Sequence, residues 1–178
     1  MGKRILILNG AARKNGNTAK LIQAFSEGAR SAGHIVQEFY LDGMNIHSCK
    51  GCLHPGRDSK SPCSQKDDMD LIYAAFADCD VVVFASPVYF WTITGPLKTA
   101  ADRLYASLEC MGYGQFVRES VLLMTADGSD YSQAVTWYRT MSAISAGKTG
   151  VKFWEKVKQR KPTSWALLFD QTKQKGSI

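Results

Sequence analysis

The sequence predicts an α/β fold in which a mostly parallel sheet carries helices on both faces. Three observations support this. Unbroken apolar runs, Ile5-Leu6-Ile7-Leu8, Val81-Val82-Val83-Phe84-Ala85 and Val121-Leu122-Leu123-Met124, suit strands buried on both faces. Segments with apolar residues at helical spacing lie between the strand-like runs, so the order reads β-α-β-α-β-α-β-α. Each of the three apolar runs opens into a loop suited to a ligand, two of them small and polar and the middle one aromatic. Open parallel sheets bind ligands in that position, beyond the carboxyl ends of their strands.

The elements follow in order. Strand one is expected over Arg4–Leu8, and a helix begins near Asn17. Its apolar positions Leu21, Ala24, Phe25, Ala29 and Ala32 share one face, and Gly33 is placed to stop it. Ile35–Leu41 is rich in β-forming residues with partial alternation, which places a second strand nearer a sheet edge. Asp42–Lys66 is irregular and long for a loop. It holds His47, Cys49, Cys52, His54, Pro55, Pro62 and Cys63. Asp67-Asp68 suits the start of a second helix with Met69, Ile72, Ala75 and Phe76 inward. Val81–Ala85 is the most β-branched run and should be central. Pro96 after Gly95 opens a third helix, with a stripe of Leu97, Ala101, Leu104 and Leu108. Lys98 and Asp102 lie four apart on its flank. A fourth strand follows at Val121–Met124 and a fourth helix from Ser132 to about Ala143. A fifth strand is expected, with Ser145–Val151 a weak candidate and Ser164–Phe169 a more apolar one.

A chain of 178 residues fits one domain, expected to span 1–178. No apolar stretch approaches the length of a membrane span, and the N-terminus lacks a signal-peptide pattern, so a cytoplasmic location and no membrane partner are expected. The formal charge of +6 is concentrated toward the end, at Lys148, Lys152, Lys156, Lys158, Arg160 and Lys161. That pattern suits a solvated helix face. No aromatic interleaving supports a nucleic-acid surface. Five cysteines without a secretory signal argue against a disulfide framework. No Ser-His-Asp set, H-E-x-x-H or paired carboxylates indicate hydrolase chemistry.

The loop after strand one reads Asn9-Gly10-Ala11-Ala12-Arg13-Lys14-Asn15-Gly16-Asn17-Thr18. It joins a strand end to a helix start, where backbone N–H groups and the helix dipole favour an anion. Gly10 and Gly16 permit close approach to a ligand or a positive φ. Asn17 and Thr18 suit either a helix cap or a phosphate contact. The G-x-G-x-x-G fingerprint is absent. The triphosphate loop G-x-x-x-x-G-K-[ST] is also unmatched, because one extra residue separates the glycines and Asn17 stands in the lysine's place. A single terminal phosphate, as on a mononucleotide, fits better. Tyr89, Phe90 and Trp91 cluster at the mouth of the central strand, which suits core packing, a flat aromatic ligand or a second subunit.

These residues carry a resemblance. The loop Asn9–Thr18 resembles the G-S-P-R-x-x-G-N-T phosphate loop of the NAD(P)H-dependent FMN reductase family, within the flavodoxin-like superfamily. Ser86-Pro87-Val88-Tyr89-Phe90 is similar to that family's S-P-V-Y-F segment. Gly95-Pro96-Leu97-Lys98 through Asp102-Arg103 resembles its third helix, and Asp67-Asp68-Met69 its second-helix start. The resemblance implies a flavodoxin-like three-layer sandwich with a five-stranded parallel sheet of order 2-1-3-4-5. It implies FMN as cofactor, with Ala11, Arg13, Asn15, Gly16, Asn17 and Thr18 around the phosphate. Pro87, Val88, Tyr89, Phe90 and Trp91 would lie along the ring, with amides at Val88–Phe90 donating to its edge. Thr125, Asp127 and Gly128 would border the other side. Ala11-Ala12 departs from the family's Ser-Pro, which removes one hydroxyl donor to the phosphate.

The implied activity is transfer of reducing equivalents from NADH or NADPH through FMN to a quinone, flavin or similar acceptor, with no catalytic side chain. A homodimer or homotetramer is implied, with Phe90, Trp91 and the third helix at the interface. A non-enzymatic FMN-binding electron carrier is the alternative, although such carriers are typically acidic. The cysteine loop is similar to that of the iron–sulfur flavoproteins, which carry four clustered cysteines there. Here Pro55 stands in the third place, with Cys63 further on. An iron–sulfur cluster, a zinc site with His54, a redox-active C-x-x-C and ordinary thiols are all compatible with the pattern, ordinary thiols being favoured and no metal expected. Cys79 and Cys110 are expected to pack.

Overall fold

Strand β1 (Arg4–Asn9) pairs in parallel with β2 (Ile35–Tyr40) on one side and β3 (Val81–Pro87) on the other. Strand β4 (Glu119–Thr125) extends the sheet beyond β3, giving the order β2-β1-β3-β4. This arrangement comes from a computed structural model that describes residues 2–53, 55–112, 119–144 and the backbone of 152–153. Lys152–Phe153 pairs in parallel with Val121 and Leu122 at the β4 edge. Both candidate segments for a longer fifth strand lie outside the described residues, as does His54.

Alternation along the strands divides the core into two layers. Ile5, Ile7, Val81, Val83, Ala85 and Leu123 face α1 (Asn17–Ser31), meeting Leu21, Ile22 and Ala29. Leu6, Leu8, Val82, Phe84 and Leu122 face the opposite way. They meet Met69, Ile72 and Phe76 of α2 (Met69–Asp78), Leu97 and Ala100 of α3 (Gly95–Arg103) and Tyr138 of α5 (Ser132–Ile144). Each buried aliphatic side chain contributes roughly 1.5–3 kcal/mol relative to exposure. The expected two-faced sheet and the expected places of β2 at an edge and β3 in the interior hold. Cys79 packs in the core as expected.

The third helix departs from expectation. It ends at Arg103, and α4 (Tyr105–Met111) follows. The Leu104 N–H is shared between Ala100 O (3.1 Å) and Ala101 O (3.2 Å), which tightens the turn there. The fully buried stripe is Leu97, Ala100, Arg103 and Leu104 rather than one through Ala101, and Leu108 packs partly buried against the same core from α4 as expected. Arg103 belongs to the buried face, turned inward toward Asp67. Lys98 and Asp102 form the expected exposed pair. Among the described residues no helix is long and apolar enough to cross a membrane.

Candidate functional site

The carboxyl ends of β1, β3 and β4 carry loops tied by a chain of short polar contacts. Buried Asn9 accepts from the Ala11 amide through Oδ1 (2.9 Å), and its Nδ2 donates to Glu38 Oε1 (2.7 Å). The Gly10 amide donates to Ala85 O (2.8 Å), and the Thr94 hydroxyl donates to Gly10 O (2.8 Å). Thr94 N in turn donates to Ser86 Oγ (3.0 Å). The Val88 amide donates to Thr125 O (2.8 Å), and the Thr18 and Thr125 hydroxyls meet at 2.7 Å. Asn9, Ser86 and Thr94 lie in the expected loops but were not among the residues singled out for the site. Their role is to fix the loops, and the sequence signal for it was a polar residue at the end of an apolar run (Asn9, Ser86) or beside a glycine (Asn9, Thr94).

The loops enclose a cleft of about 290 Å³. Ala11, Arg13, Gly16, Asn17, Thr18, Pro87, Val88, Tyr89, Thr125 and Asp127 line it, and so do Ala12 and Ala126. Of the residues singled out from sequence, Asn15, Phe90, Trp91 and Gly128 are not part of its lining. Phe90 is 90% exposed and Trp91 52% exposed. Their rings stand edge to face at 5.0 Å between centroids. Both hold left-handed backbones, with φ of 49° and 66°. The reversal is closed by Tyr89 and Thr92, each of which donates its amide to the other's carbonyl, at 2.9 and 3.2 Å.

Three local expectations change. The amides of Val88 and Tyr89 are committed to Thr125 O and Thr92 O, so they are not donors for a ring edge. Neither Gly10 nor Gly16 takes a positive φ. Gly10 instead meets the protein itself. A Cβ there would lie 2.6 Å from Thr94 Oγ1 and 2.7 Å from Leu97 Cβ. Finally, the first turn of α1 is preceded by Gly16 and has no side-chain cap, so neither Asn17 nor Thr18 caps it.

The missing cap has a chemical consequence. The first amides of a helix have no partner within the helix, and the dipole adds positive potential there. No acidic residue sits in the first turn of α1, and Arg13 lines the same cleft. In the Thr18–Thr125 pair one hydroxyl accepts, so its own proton remains available to a ligand. This donor set suits a phosphate monoester. Pro87, Val88 and Tyr89 supply a partly apolar wall beside it, which suits a flat ring. FMN carries both groups.

A second polar centre sits at the far end of α3. Arg103 donates from Nη1 to Asp67 Oδ2 (2.8 Å) and to His47 O (2.8 Å). Its Nη2 donates to Asp67 Oδ1 (3.1 Å) and Gln65 O (3.4 Å). Burial alone would raise the Asp67 carboxyl. The Arg103 hydrogen bond and the amides of His47 and Met69 outweigh it and hold the carboxyl near 2. Burial pushes the Tyr73 hydroxyl up, against a pull downward from Arg103. Helix α2 begins after Asp67-Asp68 as expected, with Asp67 Oδ1 accepting from the Met69 amide (3.1 Å), but Asp68 at the N-cap makes no capping bond and accepts from the Asn45 amide instead (2.7 Å). Arg103 thereby fastens both ends of the cysteine loop to the helix that starts at the cleft.

Comparison with known proteins agrees with this architecture. The model of the NADPH-dependent FMN reductase family matches residues 3–151. An iron-sulfur flavoprotein of Archaeoglobus fulgidus is 34% identical over 95 residues, covering 53% of this chain and 42% of that protein. An iron-sulfur flavoprotein of Clostridioides difficile is 28% identical over 145 residues, covering 80% of this chain and 63% of that protein. The chain spans about half the length of the first curated relatives it matches. The crystal structure of RosB with a bound 8-demethyl-8-formylriboflavin-5'-phosphate intermediate superimposes with a TM-score of 0.68. It covers 86% of this chain and 65% of that one at 13% identity, a likeness of fold alone. Because the family match runs from β1 through the cleft loops and the cysteine loop to α5, this chain belongs to the NADPH-dependent FMN reductase family.

Proposed function

We propose that the chain is an FMN-dependent NAD(P)H oxidoreductase that passes electrons to a quinone, a flavin or a similar small acceptor. The observation that carries this reading is the single cleft shared by the loops after β1, β3 and β4. It joins an uncapped helix N-terminus and Arg13 to the wall formed by Pro87, Val88 and Tyr89. Bound FMN would supply acceptance of reducing equivalents from NADH or NADPH and their donation to the second substrate.

The protein's part is binding and orientation. Ala11, Arg13, Asn15, Gly16, Asn17 and Thr18 form the phosphate cradle in this reading. Asn9 holds the Ala11 amide, so the α1 amides, Arg13 and the Thr18–Thr125 pair carry the anion. Pro87, Val88, Tyr89, Phe90 and Trp91 accompany the ring, and Thr125, Asp127 and Gly128 close its other side. The same reading makes residues 1–178 one domain with a complete five-stranded sheet of order 2-1-3-4-5, located in the cytoplasm. It also makes the protein a homodimer or homotetramer through Phe90, Trp91 and α3, binding neither membrane nor nucleic acid.

The visible spectrum of the purified protein tests this, followed by anaerobic addition of NADH and of NADPH. A yellow protein, or one that turns yellow with added FMN, should bleach with at least one nucleotide. A protein that stays colourless and does not bind FMN overturns the reading. A yellow protein bleached by neither nucleotide overturns the reductase activity and favours the electron carrier.

A further inference from the structure

The cysteine loop takes no part in the flavin reading, yet it brings three thiols to one place. Cys49, Cys52 and Cys63 line a small cleft of about 30 Å³ together with Arg103 and Tyr105. The names of the relatives raise an iron–sulfur cluster first. Such a cluster is held by four thiolates. The loop supplies three, with Pro55 in the place of another. Among the described residues no three His, Cys, Asp or Glu side chains are grouped so as to hold a metal ion. The loop therefore does not fit the cluster.

The three thiols are not equivalent. Cys63 is half-buried and packs against the core. Cys49 and Cys52 are both exposed and separated only by Lys50-Gly51. Gly51 adopts a left-handed backbone with φ of 61°, which bends the chain between them. Its amide donates to Cys49 Sγ at 3.4 Å, so the first thiol lies back over the dipeptide that leads to the second. Lys50 adds an exposed cation between the two thiols, which attracts anionic thiol compounds.

We propose that Cys49 and Cys52 form a reversible dithiol–disulfide pair that exchanges with low-molecular-weight anionic disulfides. One cysteine thiolate attacks a sulfur of the external disulfide RSSR. That S–S bond breaks, one thiolate RS⁻ leaves, and a protein–SR mixed disulfide forms. The second cysteine attacks the protein sulfur of the mixed disulfide and expels the second RS⁻. In sum, two protein thiols and RSSR give one protein disulfide and two RSH. Two electrons pass to the external disulfide, and the two cysteine protons end on the released thiols. The assignment stands apart from the flavin reading and needs no bound cofactor.

The test equilibrates the full chain with oxidised and reduced glutathione, traps thiols with N-ethylmaleimide under denaturing conditions, and maps the peptides by mass spectrometry. The reduced chain presents five cysteine thiols. Oxidised glutathione should remove two of them reversibly, with the bond mapped to Cys49–Cys52. Cys49→Ser and Cys52→Ser should each abolish the intramolecular bond, whereas Cys63→Ser should leave it. Retention of all five thiols overturns the proposal, as does a bond mapped to Cys63. Anaerobic reconstitution with ferrous iron and sulfide supplies the remaining arm. A stoichiometric cluster lost in Cys49→Ser and Cys52→Ser also overturns it. The measurement on the unaltered chain does not depend on any variant folding.

Discussion

Arg103 and Asp67 meet through two contacts, Nη1 to Oδ2 at 2.8 Å and Nη2 to Oδ1 at 3.1 Å, with both side chains about 1% exposed. The pair is a two-pronged guanidinium–carboxylate contact, stronger than a neutral hydrogen bond. It also closes the irregular stretch between β2 and α2 onto the end of α3.

Stability should depend on pH through this pair. The Asp67 carboxyl is held near 2 in the fold, below its ordinary value. A depressed folded value contributes stability that is present above about pH 4 and lost as pH falls through about 2. The contribution is roughly 2–3 kcal/mol. Urea denaturation at several acid pH values should show this slope in the parent and a shallower one in Asp67→Asn. The variant should also be less stable at neutral pH by about 3–5 kcal/mol, because Arg103 keeps a buried charge without its counterion. Equal pH slopes would remove Asp67 as the source.

Arg13 should act on the phosphate alone. Arg13→Ala should weaken FMN binding roughly tenfold or more, as expected for loss of a charged hydrogen bond. Binding of riboflavin, which lacks the phosphate, should not change. Quenching of flavin fluorescence measures both. An equal loss for the two ligands would place Arg13 against the ring instead.

Gly10→Ala should destabilise the chain by about 1–3 kcal/mol through overpacking. The added methyl group meets Leu97 Cβ at 2.7 Å, an atom fixed to the α3 backbone that no rotamer change can move. FMN affinity should fall as well, because α3 and the β1 loop must separate. An unchanged urea midpoint would show that the approach of α3 is not tight.

Phe90 should serve assembly rather than folding. Relief of its left-handed backbone in Phe90→Asn, about 1 kcal/mol, offsets the lost ring contact with Trp91. The melting temperature of the monomer should therefore change little. Sedimentation velocity should show the parent as a dimer or tetramer and the variant shifted toward monomer. A parent that sediments as a monomer at tens of micromolar (an ordinary working range) excludes this role.

The sheet was legible because β1, β3 and β4 are written as unbroken apolar runs, of which Ile5–Leu8 and Val81–Ala85 are the clearest. Ten of the cleft residues were legible because the segments Asn9–Thr18 and Ser86–Phe90 resemble the phosphate and ring loops of the FMN reductase family, and a third loop follows the neighbouring strand. The break at Leu104 was not legible. It coincides with Arg103 reaching Asp67 across 36 positions of sequence, and helical periodicity carries no trace of such a partner. The commitment of the Val88 and Tyr89 amides was hidden for a related reason. It depends on Thr125 and Thr92 main-chain oxygens, which no residue type announces. Gly10 could be recognised as a place of close approach, but whether to a ligand or to α3 depends on the tertiary packing.

Arg103 grips the cysteine loop by the main-chain carbonyls of His47 and Gln65. Every amino acid carries that oxygen, so the grip is indifferent to what lies between the two anchors. The exposed interior of the loop, Cys49 and Cys52 included, can exchange for other residues without loosening these anchors. Chemistry there is free to diverge between relatives while the scaffold that positions the cleft stays the same.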